Sequence, residues 1–114
     1  MKIEPAQMRA SAEVAEELLK VMANRHRLMI LCQLVGGECS VGELAEVLDL
    51  RDSTVSQHLA LLRKDDLVAT RREGQTIWYS ISSEPARRLI ETLYQMFCAP
   101  DRSHTPARKV AKKQ

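Results

Sequence analysis

Between Ser40 and Ser82 the spacing of apolar residues changes period, and that change limits what the chain can fold into. In "SVGELAEVLDL" the residues Val41, Leu44, Ala45 and Leu48 recur at intervals of three and four, which places them on one face of a short helix. After a connection of three or four residues, "DSTVSQHLALLRKDD" repeats the pattern with Val55, Leu59 and Leu62. The run "LVATRREGQTIWYSIS" then abandons helical spacing for two β-rich stretches, Leu67 to Arg71 and Thr76 to Ile81, separated by a Gly-containing turn.

The flanks are helical. "MRASAEVAEELLKVMA" carries Met8, Ala12, Ala15, Leu18, Leu19 and Met22 as a stripe, with Glu13, Glu16, Glu17 and Lys20 elsewhere. "NRHRLMILCQLVGG" follows, with Asn24 placed to cap its start and Gly36-Gly37 to end it. Ser40 and Glu43 form a possible capping box for the next helix, and Asp52 can cap the one after. In "SEPARRLIETLYQMF", Ser83 is a cap and Pro85 lies early in the helix. Ala86, Leu89, Ile90, Leu93, Tyr94 and Phe97 share one face, and Pro100 ends the element. The expected fold is mainly α with a β-hairpin wing, a winged helix-turn-helix of four helices, two strands and a fifth helix. Residues 1–98 are expected to form the winged helix-turn-helix domain that serves DNA binding and dimerisation. The tail 99–114 has too few apolar groups to offset its ordering entropy and is expected to be disordered.

A 114-residue chain with 45% apolar residues has a limited core, so an oligomer is expected. No stretch approaches the roughly 20 uninterrupted apolar residues of a membrane helix, and the first residues lack the apolar region of a secretory signal. The expected setting is cytoplasmic, where three cysteines stay reduced rather than form a disulfide framework. The net charge of +2 is uneven: the tail carries +4, leaving the first 98 residues at −2. Any affinity of the core for nucleic acid therefore depends on where individual charges are placed.

The start of the fourth helix supplies that placement. The N-terminal end of a recognition helix points into the major groove, where Gln57 can pair bidentately with adenine. Ser53, Thr54 and Ser56 can bond phosphates or bases with less discrimination. His58 lies at the boundary between the reading face and the packed face, and Arg63 either meets phosphate or pairs with Asp66. In the hairpin, Arg71, Arg72 and Gln75 suit backbone or minor-groove contact.

The stretches "LKVMANRHRLMILCQL", "SVGELAEVLDLRDSTVSQHLALLRKDDLV" and "RREGQTIWYSI" resemble the ArsR/SmtB family of small dimeric repressors, over roughly residues 12 to 98. The resemblance implies a homodimer formed by the first and last helices. It implies recognition of double-stranded DNA at an imperfect palindrome, with half-sites about 34 to 36 Å apart, and an inducer that lowers operator affinity. The family's metal ligands are missing: Ser40 and Gly42 stand where thiolates would, and "EPARRLIETLYQMF" has no His or Asp. No metal or other cofactor is expected. Nor is an enzyme, since there is no CxxC, no cofactor loop and no His or acid assignable beside a cysteine in sequence.

Cys32 and Cys98, 66 residues apart in "RLMILCQLVGGECSVGEL" and "LYQMFCAP", resemble the persulfide-responsive branch of that family, the BigR/SqrR-like repressors. The resemblance implies that a persulfide or polysulfide inducer joins these two thiols by a di- or polysulfide bridge and releases DNA. On its stripe with Leu28, Leu31 and Val35, Cys32 is expected to be mostly buried with a raised pKa, and Cys98 at a helix end to be exposed. Cys39 has no counterpart in that pair; its place near a helix N-terminus suggests a lowered pKa. A bridge from Cys32 to Cys39, and a thiophilic metal held by all three thiols, stay open at this point.

Overall fold

The computed structural model describes residues 2–98. Its elements are α1 (Pro5–Met22), α2 (Arg25–Val35), α3 (Val41–Leu48), α4 (Asp52–Lys64), β1 (Val68–Glu73), β2 (Thr76–Ile81) and α5 (Glu84–Phe97), the expected order. The tail 99–114 and the stop at Pro100 lie outside the described residues.

Local side chains set most helix starts. Asn24 accepts from the Arg27 backbone N–H at 3.1 Å, and Ser83 from that of Ala86 at 3.2 Å. Ser40 and Glu43 form the full capping box, each side chain accepting from the other's backbone N–H at 3.2 Å. Two starts differ from expectation. α1 begins at Pro5, whose fixed φ suits a first helical turn, rather than near Met8. Asp52 does not cap α4: Arg51 holds the extended cap position and Asp52 is already helical, its carboxylate complementing the positive end of the helix dipole.

The tight turn of the helix-turn-helix is residues 49–51. Asp49 adopts a left-handed φ of 58°, which lets the Leu50 N–H return to the Ala45 carbonyl at 2.9 Å. α4 ends in the same way, with Asp66 at φ 61° and the Leu67 N–H bonded to the Leu62 carbonyl at 2.9 Å. β1 runs two residues beyond Arg71, because Glu73 still pairs with Thr76 across a two-residue Gly74-Gln75 turn. Gly74, at φ 64°, occupies the position in that turn that favours glycine.

The core centres on α2. Ile30, Leu31 and Leu34 pack with Leu44 of α3, Val55, Leu59 and Leu62 of α4, Val68 and Ile81 of the hairpin, and Ala86 and Ile90 of α5. Each fully buried Leu or Ile contributes on the order of 1.5–3 kcal/mol. α1 contributes only Met22 to the buried set, while Val14 and Leu19 remain 73% and 52% exposed. The stripe read from the sequence is present, but the chain itself covers only its last turn. Among the described residues no helix is long and apolar enough to cross a membrane.

Candidate nucleic-acid interface and thiol hollow

With Val55, Leu59 and Leu62 turned to the core, helical geometry places Ser53, Gln57, Ala60 and Lys64 along the opposite, outward strip of α4. Ser53, Ser56 and Gln57 are exposed and Thr54 is half-buried. Ser56 and Arg63 lie on the flank toward the hairpin, and His58 on the flank toward α2.

His58 is held there by neighbours that sequence reading did not identify. Arg27 Nη1 lies 3.2 Å from His58 Nδ1. Arginine only donates, so Nδ1 accepts and the ring proton is on Nε2. The His26 ring meets the His58 ring edge-on, with centroids 5.4 Å apart. Burial, and then the charges of Arg27 and His26, push the His58 pKa below the usual histidine range. Arg27 Nε also donates to the Val21 carbonyl, so α4 is braced through α2 to the end of α1.

The structure separates the two wing arginines. Alternation along paired strands puts Arg71 with Trp78 on one face and Arg72 with Ile77 on the other, the face shared by Thr70, Tyr79 and the core residues Val68 and Ile81. Arg71 grips Glu38 bidentately, Nε to Oε2 at 2.9 Å and Nη2 to Oε1 at 2.8 Å, and donates from Nη1 to Glu73 Oε1 at 2.9 Å. These bonds hold the Glu38 carboxyl below the usual carboxylate range and raise the guanidinium further. Arg71 is thus balanced by two carboxylates of its own protomer. Glu38 reaches it because Cys39 exchanges backbone hydrogen bonds with Tyr79, at 3.1 and 2.8 Å, and so adds a bridge to the outer edge of β2. Arg72 and Gln75 are exposed, and Arg63 makes no ion pair with Asp66 among the described residues.

The third constellation lies on the opposite side of α2. Cys32 and Cys98 both line one apolar hollow of about 290 Å³ between α2 and α5, walled by Leu28, Met29, Ile90, Leu93 and Phe97. Cys98 is exposed, as expected, whereas Cys32 is half-buried rather than mostly buried, because α5 covers only one side of it. Burial, and then the neighbouring Cys98, raise the Cys32 pKa. Cys39 does not line this hollow; its Sγ–H donates to the Gly37 carbonyl at 3.7 Å. Its pKa is raised by burial and by Glu43, not lowered, because the nearby carboxylate and lost hydration outweigh the helix terminus. Among the described residues no three His, Cys, Asp or Glu side chains are grouped to hold a metal ion.

Residues 24–70 match the family model described as "Bacterial regulatory protein, arsR family". The chain is 50% identical over 97 residues to the biofilm growth-associated repressor of Agrobacterium fabrum, spanning 85% of this chain and 82% of that one. It is 49% identical over 92 residues to the transcriptional activator HlyU of Vibrio cholerae, spanning 81% and 85%. The solved structure of reduced HlyU superposes with a TM-score of 0.78 at 49% identity, covering 81% of this chain and 97% of that one. The transcriptional repressor BigR from Xylella fastidiosa gives 0.78 at 38% identity, covering 85% and 99%.

Proposed function

Because the chain belongs to the ArsR family of DNA-binding bacterial regulators, we propose that it is a homodimeric repressor whose hold on its operator is released when reactive sulfur bridges Cys32 to Cys98. The observation that carries this reading is the shared apolar hollow, which brings two thiols from distant parts of the sequence to one opening beside α5. Ser53, Thr54, Ser56 and Gln57 read or grip the DNA from α4, with Arg72 and Gln75 reaching it from the wing.

The chemistry balances without an external oxidant. Cys98, the exposed thiol, attacks the outer sulfur of an organic persulfide R–S–SH as thiolate; the S–S bond breaks and the thiol R–SH leaves, so that Cys98 becomes a persulfide. Cys32 then attacks the inner sulfur, displacing hydrogen sulfide and closing a disulfide. The two protein thiols are oxidised and the persulfide sulfur is reduced. When a second persulfide first lengthens the Cys98 persulfide to Cys98–S–S–SH, releasing a second R–SH, Cys32 attacks its middle sulfur, displaces hydrogen sulfide and closes a trisulfide instead. That longer bridge spans a gap wider than the roughly 4.4–6.8 Å Cα separation a disulfide tolerates, which favours sulfane sulfur over peroxide. Burial, and then the neighbouring Cys98, raise the Cys32 pKa, which lowers its thiolate fraction and disfavours it as the first thiol to attack.

A bridge between α2 and α5 lowers DNA affinity only as far as it favours the DNA-free arrangement of the dimer, typically about 1–3 kcal/mol of coupling. The test is DNA binding by the reduced protein before and after an organic persulfide, a peroxide and a panel of metal ions, with mass spectrometry of the cysteine peptides. Persulfide is expected to release DNA and to link the Cys32 and Cys98 peptides through two or more sulfur atoms. Release that persists in Cys32→Ser and Cys98→Ser proteins would sink the sensor assignment, and release by metal alone would favour a thiophilic-metal regulator.

A further inference from the structure

We propose that a DNA backbone phosphate seats in the cleft between α4 and β2, held by Ser56, Arg63, Lys64 and Tyr79. The proposal rests on the DNA-binding reading and locates where the duplex is gripped. The first 98 residues carry a net −2, so a surface that binds DNA needs a local concentration of positive charge. The wing supplies less than its sequence suggests, since Arg71 is neutralised by Glu38 and Glu73. The first turn of α4 begins with Asp52, which offsets the helix dipole there.

The cleft between α4 and β2 is different. It has a volume of about 420 Å³ and is lined by Ser56, Leu59, Ala60, Arg63, Lys64 and Tyr79. Ser56 and Arg63 on the flank facing the hairpin and Ala60 and Lys64 on the adjoining edge of the outward strip follow one another at helical spacing, and the small Ala60 leaves the space between them open. Among the described residues neither Arg63 nor Lys64 makes an ion pair, and neither the Ser56 nor the Tyr79 hydroxyl has a hydrogen-bond partner. Arg72 continues the same face of the hairpin beyond Tyr79. Two residues with unpaired cations and two with unengaged hydroxyls therefore line one opening that has no carboxylate among its lining residues.

Its position identifies the occupant. A helix in the major groove and a wing over the neighbouring minor groove are separated by one sugar-phosphate strand, and the cleft lies between those two elements. A phosphodiester oxygen there accepts from the Ser56 and Tyr79 hydroxyls and is neutralised by Arg63 and Lys64. Contacts of this kind fix register and orientation without reading sequence.

The test uses the full chain and two labelled duplexes, one selected by the protein from a random-sequence library and one unselected, with affinities measured across a salt series. The Arg63→Gln/Lys64→Gln double variant, which leaves the cleft without a cation, should reduce the slope of log affinity against log salt by about 0.9 for the phosphate that is no longer neutralised. Tyr79→Phe and Ser56→Ala should each weaken both duplexes by about tenfold, one charge-assisted hydrogen bond, leaving the ratio between the duplexes unchanged. Tyr79→Phe keeps the ring and the backbone pairing to Cys39, and an unchanged thermal melt confirms that each variant is folded. Unchanged slopes and affinities would overturn the cleft, as would variants that alter the ratio between duplexes. Failure of the wild-type protein to bind either duplex would instead overturn the DNA reading itself.

Discussion

The half of the molecule built from α3, α4 and the hairpin buries its inward apolar row completely against α2, although Val47, Leu61 and Ile77 stay exposed, whereas the half built from α1 and α5 leaves most of α1 and the end of α5 uncovered. In the first, Leu44, Val55, Leu59 and Leu62 have no solvent exposure. In the second, Val14, Leu19, Met96 and Phe97 are 73%, 52%, 54% and 65% exposed. The reading surface therefore takes its shape from packing within one chain, whereas in the proposed homodimer the apolar faces of α1 and α5 would be covered by a second copy. The thiol hollow opens beside α5, in the unfinished half. On the proposed reading, a bridge there would alter how two copies meet rather than how the recognition helix is folded.

The largest effect should come from breaking the unfinished half. Val14→Asp places a charge on the exposed face of α1, and the protein should sediment as a monomer. Operator affinity should fall by about 100-fold or more, because two half-sites are no longer engaged by one linked particle. A dimer that survives this change removes the basis of the comparison. In the closed half, Leu59→Ala should cost about 2–5 kcal/mol in a urea melt, the range for a fully buried leucine whose cavity collapses only in part. A loss well under 1 kcal/mol would mean that this half is less tightly packed than its burial implies. Gln57→Ala, on the outward strip, should leave the melt unchanged while reducing discrimination at one base position by about 1–3 kcal/mol, read from competition between single-base variants of the selected duplex.

What the sequence revealed follows the same division. Elements and caps are encoded within a few residues, so Asn24, Ser40 with Glu43, and Ser83 could be assigned by eye. Asp52 misled because both Arg51 and Asp52 can precede a helical run, and the backbone rather than the side chain decided between them. Partners far apart in sequence were not legible. Glu38 lies 33 residues from Arg71, and His58 lies 31 from Arg27, with no periodicity to link either pair. The sign of the Cys39 shift was missed because burial, which the local sequence does not reveal, raises it first and the nearby Glu43 carboxylate adds to it. Cys32 and Cys98 were paired by family resemblance; their common hollow is a property of the fold.

The wing offers a smaller contrast between two adjacent arginines. Arg72→Gln removes an exposed cation and should lower the salt slope by about 0.9 for each phosphate it neutralises. Arg71→Gln removes a charge already balanced by Glu38 and Glu73, so its slope should stay near the wild-type value. Glu38→Gln should then steepen the salt dependence by freeing Arg71 for DNA. Equal slopes for the two arginine variants would mean that Arg71 exchanges its carboxylates for phosphate on binding.

The smallest expected effect lies at the joint between the two halves. His58 belongs to α4, accepts from Arg27 of α2, and through Arg27 is tied to the Val21 carbonyl at the end of α1. Its folded pKa is below the unfolded value, so the unfolded chain takes up a proton more readily through the window between them. The resulting stability is present above the ordinary histidine range and is lost as pH falls through that window, where a second proton donor faces Arg27 instead of an acceptor. The Glu38 contribution, also from a lowered pKa, is lost only on further acidification, as pH falls through the carboxylate range. Urea melts at stepped pH should therefore show two separate declines. Replacing His58 with Gln, which keeps an acceptor for Arg27, should abolish the upper decline and leave the lower one intact. If the upper decline survives that substitution, another group carries it and the brace between α4 and α1 does not respond to protons.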